Sequence, residues 1–122
     1  MTEKEKLEYL NGQGINTKAG MRYADDSLEF YEQLIEIFLQ EYEGKRQKAE
    51  SEYQNPGDKY TVLVHGLKNS ARYLGADELA DMAFEHEKAS KAGDTTYIAD
   101  NFEALLQMWE KVVSVFNESL KL

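Results

Sequence analysis

Val64-His65-Gly66-Leu67-Lys68-Asn69-Ser70-Ala71-Arg72-Tyr73-Leu74-Gly75-Ala76 is the stretch on which the fold turns. On a helix that advances about 100° per residue, Tyr60, Leu63, Leu67, Ser70, Ala71 and Leu74 gather on one side and His65 lies opposite. Around the histidine fall Thr61, Val62, Lys68, Asn69 and Arg72. This pattern implies an amphipathic helix with its imidazole turned to solvent between two cations, on a face that carries no carboxylate of its own. Asn69, about 40° from His65 on the wheel, is expected to border the ring. Gly75 suits the left-handed residue that ends many helices, so the helix is expected from about Asp58 to Gly75.

Similar signals extend in both directions. Downstream, a helix from Asp77 closes at Gly93, and a last one runs from about Asp94 to Leu120. Upstream, Gln54-Asn55-Pro56-Gly57-Asp58 is a break. Before it, Leu28, Tyr31, Leu34, Ile35, Phe38, Leu39 and Tyr42 recur at three- and four-residue spacing, with Asp25 or Asp26 as the expected N-cap. The polar run Glu43 to Glu52 is expected to outlast the core. A short amphipathic piece, Thr2 to Leu10, stops at Asn11-Gly12, and Thr17 is the expected cap of a second short helix to Tyr23. One proline and eight glycines are too few for a many-stranded β architecture. The fold class is therefore all-α, an antiparallel four-helix bundle with one or two short N-terminal covering helices, in one domain over residues 1–122.

Composition narrows the chemistry. The chain has 122 residues, 23 acidic against 14 basic, and a formal net charge of −9. A nucleic-acid protein must bring cations to displace condensed counterions, so DNA, RNA and anionic membranes are poor partners for it. The absence of cysteine excludes disulfides, thiolate metal sites and thiol nucleophiles. With no leader-like apolar segment and no run of about 18 apolar residues, a cytoplasmic location is expected. Met1 and an ending just past the last helix read as a free-standing protein.

The quoted stretch resembles the H-x-L-K-G motif of the histidine-containing phosphotransfer (HPt) domain, in His65, Leu67 and Lys68, with the Ser-Ala and Leu-Gly-Ala that follow. The likeness continues through Leu79, Ala83, Glu87 and Gly93-Asp94, and upstream through Ile15, Gly20, Tyr23, Asp26, Leu28, Tyr31 and Phe38. It implies a monomeric bundle whose exposed histidine takes a phosphoryl group from the aspartyl phosphate of a response-regulator receiver domain and passes it to another. His65 is then the phosphoacceptor, and Lys68, one turn on, meets the phosphoryl oxygens. Thr61, Val62, Asn69 and Arg72 form the partner-binding face. Receiver domains, and a hybrid sensor histidine kinase, are the implied partners. The chain itself takes no cofactor; Mg²⁺ belongs to the receiver's acidic pocket. One departure stands out, because Asn69 occupies a position where the family usually has glycine.

Other readings of the same residues are weaker. A kinase dimerisation domain has an acidic residue after its histidine, where this chain has Gly66, and no Gly-rich nucleotide loop is present, so no ATP-dependent kinase activity is expected. A di-iron bundle needs Glu-x-x-His pairs, but Val62 and Ala83 stand three residues before the two histidines. There is no nucleophile elbow for serine chemistry. His86 shares a face with Leu79, Met82 and Ala83 and is expected to be a partly buried structural residue. Trp109 and Met108 read as core, and acids such as Glu85 with Glu87 as solubility and capping residues. The non-catalytic alternative is a degenerate bundle of the same family that binds a receiver domain without carrying phosphate.

Overall fold

The helices follow from caps and apolar stripes placed at regular intervals. A computed structural model describes residues 1–122 as α1 (Glu3–Gly12), α2 (Thr17–Tyr23), α3 (Leu28–Glu52), α4 (Asp58–Leu74), α5 (Asp77–Ala92) and α6 (Thr95–Leu120), with no strand. Contacts among α3 to α6 place the helices antiparallel. Phe38 meets Phe116, Tyr42 meets Trp109 and Tyr53 stacks on Phe102, so α3 and α6 run in opposite directions. Thr61 with Ser90 and Lys68 with Glu87 show the same for α4 and α5. The expected four-helix bundle is present, with α1 and α2 packed on it as covering helices.

Trp109, Tyr31, Tyr60, Phe116, Leu67, Leu74, Leu79 and Ile98 fill the interior. Burying side chains of this size contributes about 1.5–3 kcal/mol each. The α4 stripe is wider than its sequence pattern implies. Val64 is fully buried, because α5 packs along that flank, whereas Ser70 is only half-buried.

Gly75 and Gly93 end α4 and α5 in the left-handed conformation, at φ 87° and 72°. Gly75 also answers a steric demand, since a Cβ there would meet the Asn16 carbonyl oxygen at 2.1 Å. Gly20 lets α2 lie flat on the Tyr31 ring, whose atoms would stand 2.6 Å from an added Cβ. Tyr31 in turn donates to the Leu74 carbonyl at 2.6 Å, and burial pushes its phenol well above its ordinary pKa.

Several boundaries differ from expectation for identifiable reasons. The N-cap of α3 is Ser27, whose hydroxyl accepts from Phe30 N–H. Asp25 and Asp26 instead make the preceding turn, at φ 57° and 59°, a left-handed conformation that aspartate tolerates better than most residues. Asn16, not Thr17, caps α2, because the Thr17 hydroxyl is engaged with Asn11 Oδ1 at 2.8 Å. The loop after α1 starts at Gln13, with Asn11 and Gly12 still helical. The polar half of α3 does not outlast the core. Ala49 is fully buried, and Arg46 reaches Glu110 on α6 at 3.5 Å. No helix is long and apolar enough to cross a membrane.

Candidate functional site

His65 lies at mid-length of α4, on the side away from Leu67 and Leu74, and its side chain is 52% exposed. Its surroundings differ from the expected face in one decisive respect. Glu87 of α5 lies behind the ring, only 3% exposed, with Oε2 at 2.6 Å from Nδ1. The face therefore does contain a carboxylate, and Glu87 is neither a solubility nor a capping residue. The hairpin brings the two together. His65 precedes the Gly75 turn by about as many residues as Glu87 follows it, and antiparallel helices bring such positions level.

Glu87 is a hub for three donors. Lys68 Nζ reaches Oε1 at 2.7 Å, Lys91 Nζ reaches Oε2 at 3.1 Å, and His65 Nδ1 takes the remaining direction. Burial pushes the carboxyl up, but the hydrogen bonds from Lys68, His65 and Lys91 and the charge of Lys68 outweigh it. They hold the group down at about 2. At neutral pH Glu87 is an anion with nothing to donate, so the proton shared with His65 belongs to Nδ1. In the neutral ring the lone pair is then on Nε2, which faces outward.

Lys68 stands 3.5 Å from Nδ1, yet its short bond is to Glu87, and its side chain is only 12% exposed. Its ammonium also lies over the Phe84 ring, with Nζ 5.1 Å from the centroid. Asn69 Nδ2 lies 3.2 Å from Nε2. With a lone pair on that nitrogen, the amide must present its N–H. Thr61 is not free for a partner through its hydroxyl, which pairs with Ser90 at 2.6 Å. Val62 is 71% exposed, and Arg72 is exposed too.

Two hollows flank the histidine. One is lined by Ala19, Arg22, Tyr23, Asn69, Arg72 and Tyr73, with the two tyrosine rings stacked at 4.4 Å. The other is lined by Lys45, Lys48, Lys59, Val62, Leu63 and Gly66. Arg22, Arg72, Lys48 and Lys59 make no ion pair within the protein. A strongly acidic molecule thus keeps unpaired cations on both sides of one imidazole. No group of three or more His, Asp or Glu side chains is placed to hold a metal ion.

His86 has the opposite character. It is 1% exposed, with Tyr60 Oη at 2.8 Å from Nδ1 and the Asn101 carbonyl at 3.2 Å from Nε2. The carbonyl can only accept, so Nε2 carries the proton and Nδ1 accepts from the phenol. Burial lowers the His86 pKa, with the Asn101 bond opposing. It is the structural histidine the sequence implies, and more deeply buried.

The bundle thus presents one imidazole at its surface, with its proton held inward by a carboxylate and its lone pair outward. The sequence model of the Hpt domain matches residues 33–115, and the chain belongs to that family. Such domains serve phosphorelays as histidine-containing phosphocarriers and interact with receiver domains. No match was found among curated proteins or among solved structures.

Proposed function

We propose that the chain is a phosphorelay intermediate in which His65 Nε2 takes a phosphoryl group from a receiver domain's aspartyl phosphate and hands it to a second receiver. The Nε2 lone pair forms the N–P bond as the P–O bond to the aspartyl carboxylate breaks, and that oxygen leaves with the electron pair. The ring keeps its Nδ1 proton and becomes cationic as the bond forms. Glu87, 2.6 Å from Nδ1, then faces a developing positive charge that it is already placed to stabilise. Transfer onward reverses these changes and returns the neutral ring.

The Nδ1–Glu87 bond is the observation that carries this reading, because it fixes both the tautomer and the direction of the nucleophile. Phosphoryl transfer depends on positioning and charge neutralisation more than on covalent help from the protein. Lys68 holds Glu87 in place and keeps a positive charge beside the ring. Val62, Arg72 and the two cationic hollows form the docking face for an acidic receiver surface, where Mg²⁺ belongs to the receiver's own pocket. The chain has no kinase activity of its own in this reading, and acts as a cytoplasmic monomer.

The test is transfer from a labelled phosphoreceiver. Wild type is expected to gain acid-labile, alkali-stable label and His65→Gln none. An unlabelled wild type that still binds the receiver would leave the docking-module alternative in its place.

A further inference from the structure

We propose that Asn69 is a latch on the acceptor nitrogen: its amide N–H caps the Nε2 lone pair of His65 and must be displaced before that nitrogen can attack. The inference rests on His65 being the acceptor and adds a control to that site.

Three observations carry it. The buried Glu87 anion can only accept, so it holds the ring proton on Nδ1 and leaves Nε2 as an acceptor. Asn69, one helical turn on from His65, places Nδ2 3.2 Å from that nitrogen, which has no other hydrogen-bond partner within the protein. Asn69 also lines the groove of Arg22, Tyr23, Arg72 and Tyr73. A body entering that groove meets the amide directly.

A lone pair engaged as a hydrogen-bond acceptor is a poorer nucleophile, because attack must first break the bond. The amide is exposed and has water as an alternative partner, so the latch opens at modest cost. Docking in the groove shifts the balance by offering the amide another partner, or by crowding it off the ring. His65 is then guarded against small electrophiles and opened by a macromolecular one.

The latch can be tested without any receiver domain, so its failure is separable from failure of the phosphorelay reading. Diethyl pyrocarbonate acylates unprotonated imidazole nitrogen, and its reaction at His65 can be followed by peptide mass spectrometry, with buried His86 as an internal reference. Asn69→Ala removes donor and bulk; Asn69→Leu removes the donor and keeps bulk. Both substitutions favour the helix, so the fold is retained.

Each variant is expected to react about fivefold faster than wild type at His65, the size of effect that one modest net hydrogen bond supplies. In long-range proton–nitrogen spectra the Nδ1–H tautomer is expected to persist while the Nε2 resonance moves. Equal rates in all three proteins would overturn the latch. A fast Asn69→Ala with Asn69→Leu as slow as wild type would also overturn it, since bulk alone would then be the shield.

Discussion

The two histidines of this chain, 21 positions apart in sequence, show how far environment decides what an imidazole can do. Each has both ring nitrogens engaged. At His86 the partners are a phenol and a backbone carbonyl, deep in the bundle, and the lone pair is consumed by Tyr60. At His65 the inward partner is an anion and the outward one an exposed amide at the surface. A neutral lining locks a histidine into the core, whereas a carboxylate behind it and an exposed amide in front hold one at the surface. The contrast lies less in the two helices than in what α5 brings to each ring. It supplies Glu87 to the first, and to the second the histidine itself, turned inward.

The comparison can be broken most severely on its buried side. His86→Ala leaves a cavity and strands the Tyr60 hydroxyl. It is expected to cost about 2–4 kcal/mol of folding stability in urea unfolding, while phosphoryl transfer per folded molecule stays at the wild-type rate. A loss of transfer at full folding would place His86 in the chemistry and end the contrast.

On the exposed side, Glu87→Gln keeps a hydrogen-bond acceptor for Nδ1 but removes the charge. Transfer from a phosphoreceiver is expected to slow by about 10- to 100-fold, by analogy with the loss when the carboxylate behind a metal-bound histidine is altered. An unchanged rate would reduce Glu87 to a packing residue.

Acid separates the two sites more gently. Folding lowers the His86 pKa, so the unfolded chain binds the extra proton first, and stability is expected to decline as pH falls below 6.5. The Glu87 carboxyl is lowered from 4.5 to about 2, so its contribution is full above about 4.5 and is lost as pH falls toward 2. Urea midpoints measured against pH should therefore show two declines, and His86→Ala should lack the first. Persistence of that first decline in the variant would assign it to another group.

Much of this was legible in the residues, for reasons the elements themselves give. Tyr60, Leu67, Ala71 and Leu74 make a stripe that any helix of this period must bury, which puts His65 outside. Gly75 and Gly93 mark turns because left-handed backbone favours them. Glu87 was not legible as a site residue, because a helical wheel sees only its own helix. Finding it takes the register of the hairpin, which the short Gly75-Ala76 connection supplies once α4 and α5 are taken as antiparallel. Nor does one helix's pattern disclose that Lys68 is tied to Glu87, or that Tyr23 and Tyr73 stack from different helices. At Asp25 and Asp26 capping preference competed with tolerance of left-handed backbone, and a serine one residue on took the cap.

Asn16 gives the hairpin a property that neither of its helices has alone. Its backbone N–H donates to the Gly75 carbonyl at 2.8 Å, its amide reaches Asp77 at 3.1 Å, and its side-chain oxygen caps α2. One residue from outside the matched stretch 33–115 thus pins the corner where α4 turns into α5. A corner fixed in this way cannot slide by a turn, and such a slip would carry His65 about 5 Å along its neighbour, out of reach of Glu87. The N-terminal segment is in effect the splint that keeps His65 and Glu87 in step, though it contacts neither side chain through these bonds.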